Sequence, residues 1–276
     1  MKCKMCGGAS EEYYDPCSFC GGKIGIVDSR DFKLRPLEVL SFGGGVQSSA
    51  MLILVHQGVL TRPDVIIFAD TGSETPQTMK NVNEQAIPFC RDVLKIPFIT
   101  ARSHHGKLHE YYIAKKNIPV IGMRGCTSEF KIFPVNRIIR ETVGMGRNHV
   151  LAHSWIGITT DEAKRERKTQ FHEWQKNVYP LLRINYSRSK CEKVLKEHGW
   201  VVEKSGCFCC CYGGTKHYAK LKKENPELFQ IVLEMEAAVK ERSDIGLCGF
   251  KRVTDMDFTE KIPQSECDPE EGGCFI

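Results

Sequence analysis

A run of three glycines separates a predicted strand from a predicted helix in the first quarter of the chain. The sequence Ser-Phe-Gly-Gly-Gly-Val-Gln-Ser-Ser occupies residues 41–49. The apolar residues 37–40 before it predict a buried strand, and residues 48–57 predict a helix that ends at Gly58. Such a loop directs free backbone amides and the positive end of a helix dipole toward the carboxyl end of a strand. We therefore expect residues 41–49 to bind a phosphate group.

The pattern of strand and helix continues after this loop. Strands are predicted at residues 65–69, at a segment that ends at Thr100, and at about 150–158; helices are predicted from Pro76, with Thr75 as N-cap, and at about 134–142. Strands that alternate with helices indicate a parallel sheet covered on both faces. We predict an α/β fold with a doubly wound parallel sheet.

Three regions are predicted along the chain. A small module covers residues 1–35, a nucleotide-binding domain covers residues 36–186, and a helical, cysteine-rich region packed on the core covers residues 187–276. In the last region, helices are predicted at about 191–198 and 226–241, with a cysteine-dense turn at 207–211 between them.

The composition excludes some classes of protein. Of the 276 residues, 41% are hydrophobic and 26% charged, which is typical of a globular protein, and no apolar run is long enough for a membrane span. The first residues lack the apolar stretch of a signal peptide, so we expect a cytoplasmic protein. The net charge of +5 permits a nucleic-acid partner without requiring one. Fourteen cysteines in a reducing compartment indicate metal ligands or redox chemistry.

Two copies of a short cysteine pattern lie in the first region. Cys3 and Cys6 form one CxxC turn, and Cys17 and Cys20 form another, each followed by two glycines. Two such turns supply four thiolates for one tetrahedral ion, most simply zinc. The alternative, a tail with incidental cysteines, does not explain the repeat.

The glycine-rich loop differs from two common phosphate-binding motifs, because it has neither a Gly-Lys-Ser/Thr ending nor GxGxxG spacing. It resembles the PP-loop of ATP pyrophosphatases, whose usual form is Ser-Gly-Gly-x-Asp-Ser. Gly43 stands where that motif has serine, and Gln47 stands where it has aspartate. The form found here is similar to the variant in phosphoadenosine phosphosulfate (PAPS) reductase-like proteins.

Three further segments resemble the same family, in the expected order. They are Phe68-Ala69-Asp70-Thr71-Gly72 followed by Glu74, a Cys-x-x-x-x-Lys-x-x-Pro segment from Cys126 through Lys131 to Pro134, and Gly157-Ile158-Thr159-Thr160-Asp161-Glu162-Ala163-Lys164-Arg165. Each has a simpler interpretation, since residues 70–72 suit an ordinary turn and the charges at 161–168 suit a solvated helix face.

The resemblance implies an adenine nucleotide alpha-hydrolase-like fold that binds ATP and Mg²⁺. The nucleotide-binding residues that it implies are Ser41, Gly43, Gly44, Gly45, Gln47, Ser48, Ser49, Asp70, Thr71 and Gly72. The catalytic residues that it implies are Ser48, Lys131, Asp161 and Arg165. The amides of residues 43–47 and the Ser48 hydroxyl would hold the β and γ phosphates, Asp70 would lie near the ribose or the metal, and Lys131 and Arg165 would offset phosphate charge.

A second set of cysteines, Cys126, Cys191, Cys207 and Cys210, forms a candidate metal site. By residue type the set suits an iron–sulfur cluster or zinc. Similarity to sulfonucleotide reductases and DNA phosphorothioation ATPases implies a 4Fe-4S cluster. Cys209 and Cys211 permit other pairings, and Cys248, Cys267 and Cys274 have no assigned role.

The function that we expect is an ATP pyrophosphatase that adenylates a tRNA or DNA substrate for sulfur transfer, with a sulfur donor such as a cysteine desulfurase. One alternative is a PAPS or adenylylsulfate reductase, although the only carboxyl-terminal match to its Glu-Cys-Gly motif is Glu266-Cys267-Asp268. The other alternative is an accessory subunit that binds nucleotide and nucleic acid without turnover.

Overall fold

The computed structural model describes residues 35–123, 125–143, 151–166, 172–239, 246–248 and 251–258. The predicted zinc ligands Cys3, Cys6, Cys17 and Cys20 lie outside these residues, as do Cys267 and Cys274. The strands are β1 Leu37–Phe42, β2 Val65–Asp70, β3 Phe98–Arg102, β4 Ala152–Trp155 and β5 Gln175–Val178. The α-helices are α1 Val46–His56, α2 Pro76–Lys80, α3 Leu108–Ala114, α4 Gly125–Thr127, α5 Phe133–Val143, α6 Pro180–Arg183, α7 Arg188–Glu197, α8 Gly214–Glu224 and α9 Pro226–Val239. π-helical turns lie at Asn81–Ala86, Phe89–Leu94 and Ser128–Ile132, and 3₁₀ turns lie at Thr160–Arg165 and Val253–Asp255.

The five strands form one parallel sheet in the order β3-β2-β1-β4-β5. This sheet confirms the predicted α/β class. Strand β1 is central: it pairs with β2 through Val39 and Val65, and with β4 through Leu37 and Ala152. The strand order therefore reverses between β1 and β4, and in open α/β sheets ligands bind in the crevice at the carboxyl ends of the strands at such a point.

Helices cover both faces of this sheet. On one face, Leu40, Phe42 and Phe68 pack against α1, α7 and the π-helical turns. On the other face, Val39 and Ile67 pack against α5. Helix α1 buries most of its circumference, from Val46 through Leu54, because it lies between the sheet and α7. The central strand is thereby held rigidly on both sides.

A second hydrophobic cluster joins the carboxyl-terminal helices to two earlier segments. It contains Phe208 and Tyr218, residues of α3 and α9, and Phe130 of the π-helical turn before α5. The buried Glu236 carboxylate of α9 accepts hydrogen bonds from the backbone amides of Leu247 and Val253. The cysteine-dense turn at 207–211 is therefore part of a packed core.

Several local predictions agree with the structure. The Thr75 side chain caps α2 by accepting from the Thr78 amide, with Pro76 in the first turn. Helix α1 begins two residues earlier than predicted, at Val46, and α7 begins three residues earlier, at Arg188. Helices α3 and α8, strand β5 and the π-helical turns were not predicted. None of the helices in the described ranges has the length and apolar character needed to cross a membrane.

Candidate functional site

The glycine-rich loop lies at the carboxyl end of β1 and passes directly into α1. Gly44 has a φ of +71°, and a Cβ there would lie 2.8 Å from Thr78 Cγ2. Asn81 Nδ2 donates to the Gly44 carbonyl at 2.8 Å and to Ser49 Oγ at 3.0 Å. Gly45 is the N-cap residue of α1 and has no side chain to cover the helix terminus. Asn81 thus holds the loop in place, and the first amides of α1 have no side-chain cap.

The serines predicted in this loop are buried around it. Ser41 lies in β1, and Ser48 and Ser49 lie in the first turn of α1. The Ser48 hydroxyl donates to the Gly45 carbonyl at 3.2 Å, and Ser49 Oγ accepts from Asn81. Ser49 therefore has a structural partner, whereas Ser48 lies at the helix terminus where a phosphate oxygen would compete for its proton.

The segment after β4 closes the other side of the loop. A Cβ at Gly157 would lie 3.2 Å from Gln47 Cβ and 3.4 Å from the Ser48 nitrogen, so only a glycine fits easily there. Gln47 Nε2 donates to Glu162 Oε2 at 3.2 Å, and Glu162 pairs with Arg165. The structure therefore links the predicted residues Gln47 and Arg165 through Glu162. The Glu162 and Arg165 side chains of the 3₁₀ turn are each only 16% exposed, so these two charges face the loop region and not open solvent.

Further cations approach this turn from the carboxyl-terminal half. Asp161 accepts a hydrogen bond from the Arg188 amide at the start of α7. Desolvation, and next the charge of Arg188, lower the pKa of Lys204, whose surroundings also include Glu162 and Arg165. Three basic side chains thus lie near the loop.

The turn after β2 contains Asp70, Thr71 and Gly72. Asp70 accepts from the Gly72 amide at 2.8 Å and pairs with Arg102 at 3.0 Å. Gly72 has a φ of +65°, and a Cβ there would lie 2.7 Å from the Lys107 side chain. The Asp70 carboxylate is therefore engaged in stabilising the turn and in an ion pair.

Glu74 connects this turn to the cysteines. Its Oε1 accepts from Thr71 Oγ1 at 3.0 Å and lies 3.5 Å from Lys131 Nζ and 3.6 Å from Cys207 Sγ. The Glu74 and Lys131 side chains are only 1% and 7% exposed. These contacts associate the predicted catalytic residue Lys131 with the cysteine region. The sequence pattern around Glu74 predicted no role for it.

A small cavity beside Lys131 is lined by five cysteines, Cys126, Cys207, Cys209, Cys210 and Cys211. Burial raises the pKa of the Cys209 thiol well above its ordinary value. Cys191 is elsewhere: it is buried on α7 in the core that contains α1, and burial raises the pKa of its thiol to about 12. The structure thus brings three members of the predicted quartet to one cavity, together with Cys209 and Cys211, and separates Cys191 from them.

The arrangement of these thiols bears on the kind of metal. Within the residues that the structure describes, no three His, Cys, Asp or Glu side chains close on a position for a single metal ion. Five cysteines nevertheless line one cavity. Thiolate ligands of an iron–sulfur cluster are spread around its volume, so the donor type and the number of thiols fit a cluster.

Residues 203–207 connect the glycine-rich loop, residues 43–49, to the cysteine-dense turn at 207–211. The Thr75 amide donates to the Gly206 carbonyl at 2.9 Å, and the Phe208 amide donates to the Ser73 carbonyl at 2.9 Å. A Cβ at Gly45 would lie 2.6 Å from Ser205 Oγ. The cysteine segment is therefore fastened beside the glycine-rich loop.

Sequence reasoning missed three residues of this site: Asn81, Lys204 and Ser205. Asn81 had a weak signal, because a buried amide in an otherwise apolar helix face requires a partner. The other two lie in a polar stretch whose proximity to the loop depends on the path of the chain.

Comparisons with known proteins bear on the region just described. The family model described as the phosphoadenosine phosphosulfate reductase domain matches residues 38–190. Two uncharacterized proteins of Methanocaldococcus jannaschii are similar: MJ0066 is 27% identical over 75% of this chain and 43% of its own length, and MJ0973 is 26% identical over 77% and 50%. The chain thus spans about half the length of the curated relatives that it matches. The structure of phosphoadenylyl-sulfate (PAPS) reductase from Candida auris, a phosphate complex, aligns with a TM-score of 0.45 and 13% identity, over 64% of this chain and 82% of that one.

Proposed function

Because the chain belongs to the phosphoadenosine phosphosulfate reductase domain family, we propose that it is a nucleotide-processing enzyme that cleaves ATP to pyrophosphate and AMP while preparing a nucleic acid for sulfur transfer. An oxygen of the acceptor attacks the α phosphorus of ATP, and pyrophosphate leaves. A sulfur nucleophile then attacks the activated carbon, and AMP leaves with the oxygen. The observation that carries this proposal is the contact between the phosphate loop and the cysteine segment, in which Ser205 packs on Gly45.

The nucleotide half of the proposal is supported by the loop at the switch point of the sheet. Free amides at the terminus of α1 suit the β and γ phosphates. Arg165, Arg188 and Lys204 would offset the charge that develops as pyrophosphate leaves. Two buried oxygens near the loop, Asn81 Oδ1 and Thr159 Oγ1, have no hydrogen-bond partner among the described residues. Buried polar atoms of this kind are often satisfied by a ligand or water.

Magnesium would accompany ATP in this site. Mg²⁺ in nucleotide sites is held by one or two carboxylates together with substrate phosphates and water. Glu162 is the carboxylate that contacts the loop through Gln47, and its two oxygens retain acceptor capacity beyond their bonds to Gln47 and Arg165. Glu162 therefore fits as a magnesium ligand better than Asp70, which pairs with Arg102.

The cysteine half of the proposal is an iron–sulfur cluster. Cys126, Cys207 and Cys210 would hold it, and Cys209 or Cys211 would supply the fourth thiolate instead of the distant Cys191. A cluster at this position would supply sulfur or electrons for the second half of the reaction. Lys131, which pairs with Glu74, would place one positive charge beside the thiolates.

The acceptor is proposed to be tRNA or DNA. The net charge of +5 favours a polyanionic partner, and the four amino-terminal cysteines are proposed to bind zinc in a module that contacts it. A cysteine desulfurase is the kind of donor that would supply the sulfur. The family description favours one second candidate, reduction of a sulfonucleotide such as PAPS, in which the loop binds the nucleotide and ATP is not cleaved.

The test is release of pyrophosphate from ATP by anaerobically purified protein, with tRNA, single-stranded DNA or duplex DNA as the acceptor. Pyrophosphate release is expected with one of these acceptors. It should fall about a hundredfold in Ser48→Ala, because a donor to the phosphates is lost. Lys196→Ala, on the last turn of α7, is the control and should retain activity. Sulfite formation from PAPS without pyrophosphate release would favour the reductase instead. Nucleic-acid binding with no turnover of either nucleotide would favour the accessory subunit.

A further inference from the structure

A cavity of about 330 Å³ lies between α2, residues 203–207 and α8. It is separate from the small cysteine-lined cavity, although Cys207, Cys210 and Tyr212 line both. Its volume is at the lower end of the range for small-molecule sites, about 300–1,000 Å³. The cavity therefore has room for a ligand about the size of one nucleotide. The three residues that line both cavities form a common wall between them.

The cavity also adjoins the phosphate loop. Ser205 lines the cavity, and its hydroxyl occupies the space beside Gly45. Lys204, which also lines the cavity, is electrostatically coupled to Arg165 and Glu162 on the nucleotide side and to Cys210 on the thiol side. A ligand in this cavity would be close to both halves of the proposed reaction.

The charge around the cavity favours an anion. Three lysines and two glutamates line it, which leaves one net positive charge, and Lys220 lies 2.6 Å from Glu203 and 3.8 Å from Glu224. The other two lysines that line the cavity are Lys204 and Lys216. Lys216 lies in the first turn of α8, where the helix dipole adds further positive potential.

The inner lining of the cavity carries groups that can recognise a base. Burial lowers the pKa of His217, so its imidazole is neutral at pH 7. Its Nε2 donates to the Phe208 carbonyl, since that oxygen can only accept, and Nδ1 is therefore an acceptor. Gln77 and Asn225 add amide side chains, and Tyr212 adds an aromatic ring. Amide and imidazole groups pair with base edges, and aromatic rings stack on base faces.

From these features we propose that the cavity receives one nucleotide of a single-stranded polynucleotide, with its base inside and its phosphates at Lys204 and Lys216. This inference rests on the proposed function, because it identifies where the acceptor of that reaction binds. The base would then lie between Ser205, which contacts Gly45, and the shared wall of Cys207 and Cys210.

The experiment compares two charge reversals on the same helix, Lys216→Glu and Lys223→Glu. Both residues are exposed on α8, but only Lys216 lines the cavity. Binding is measured by fluorescence anisotropy with fluorescein-labelled 12-nucleotide single strands of RNA and DNA of one sequence. Lys216→Glu should weaken binding about tenfold or more, whereas Lys223→Glu should weaken it less than about threefold, since distant charges are screened by salt. The strand that binds wild-type protein more tightly identifies RNA or DNA as the source of the nucleotide.

A second measurement locates the base itself. A 12-nucleotide RNA strand with one 4-thiouridine, or the DNA strand with 4-thiothymidine, is cross-linked by light, and the modified peptide is identified by mass spectrometry. Cross-links at residues 212–225 are expected. Equal loss of binding in the two variants, or cross-links confined to other segments, would overturn the inference. Binding of a fluorescent ATP analogue to both variants shows that they are folded.

Failure of the cavity proposal is distinguishable from failure of the proposed function. If pyrophosphate release depends on polynucleotide but is equal in the two variants, the cavity proposal is contradicted and the proposed reaction is supported. If only Lys216→Glu loses binding and the protein never releases pyrophosphate, the cavity proposal is supported and the proposed reaction is contradicted.

Discussion

The glycine-rich loop and the cysteine-lined cavity lie next to each other, but different kinds of contact form them. The loop is one continuous stretch, residues 43–49, and its shape comes from glycines and from hydrogen bonds that the Asn81 side-chain amide donates to the Gly44 carbonyl and to Ser49 Oγ. The cysteine region is assembled from three distant stretches, which carry Glu74, Lys131 and Cys207, and side-chain contacts between buried polar groups join them. The loop should therefore be sensitive to added atoms, and the cysteine region should be sensitive to removed charges.

The largest effect is expected from Glu74→Gln. The substitution leaves the Lys131 ammonium buried without its carboxylate, which should lower the free energy of unfolding by about 3–5 kcal/mol. Chemical denaturation measures this change. The matched control is Glu110→Gln, which removes the exposed pair between Glu110 and Lys107 and should cost less than about 1 kcal/mol. Equal losses in the two variants would show that the Glu74 pair does not hold the region together.

Gly44→Ala should have the next largest effect. It places a Cβ 2.8 Å from Thr78 Cγ2 at a φ of +71°, so strain and overpacking together should cost about 2–3 kcal/mol and weaken ATP binding. Gly58→Ala is the control, because Gly58 has a φ of +72° with nothing within 4 Å of the added Cβ. It should cost about 1 kcal/mol and leave ATP binding unchanged. Calorimetry of ATP binding and thermal unfolding would separate the two variants.

A third comparison concerns two members of the quartet expected from the sequence, Cys191, which the structure separates from the cavity, and Cys210, which lines it. Cys191→Ala should remove a buried core group, cost about 1 kcal/mol and leave the iron content unchanged. Cys210→Ala should lose iron, although Tyr218 still donates to the residue 210 carbonyl. Iron and zinc analysis with visible absorption of anaerobically purified protein is the measurement. If only the Cys191→Ala variant lost iron, Cys191 would be identified as a cluster ligand.

The smallest effect concerns pH. Burial lowers the folded-state pKa of His217 below its ordinary value of 6.5, so the unfolded chain binds a proton first as pH falls. The free energy of unfolding is therefore unaffected by His217 above pH 6.5. It decreases as the pH falls below that value, by less than about 1 kcal/mol per pH unit. His217→Gln should reduce this dependence in denaturation curves measured from pH 7.5 to pH 5.5. A residual slope is expected, because burial also lowers the pKa of His109. An unchanged slope would contradict the assignment.

Much of the fold was predictable because its signals are local. The apolar residues of β1 and β2 form strands that are buried on both faces, and a single glycine-rich turn before α1 determines where the chain reverses. Strand β5, with the sequence Gln-Lys-Asn-Val, carries no such pattern. It forms a strand because β4 offers a free edge, with Trp155 opposite Val178. Helix α8 buries only Tyr218 and Leu221, so few apolar residues in its sequence mark it as a core helix.

The glycine-rich loop, the parallel α/β class and the cysteine-rich segment could all be recognised in the sequence alone, since glycine geometry and hydrophobic period act over a few residues. Only the tertiary structure decided which side chains meet. Cys191 and Cys207 are 16 positions apart, yet one lies in the α1 core and the other beside Glu74 and Lys131. Lys204 has no signal in the sequence, and the folded chain carries it to Arg165 and Arg188. Proximity in space depends on how distant elements pack, and no local pattern encodes that.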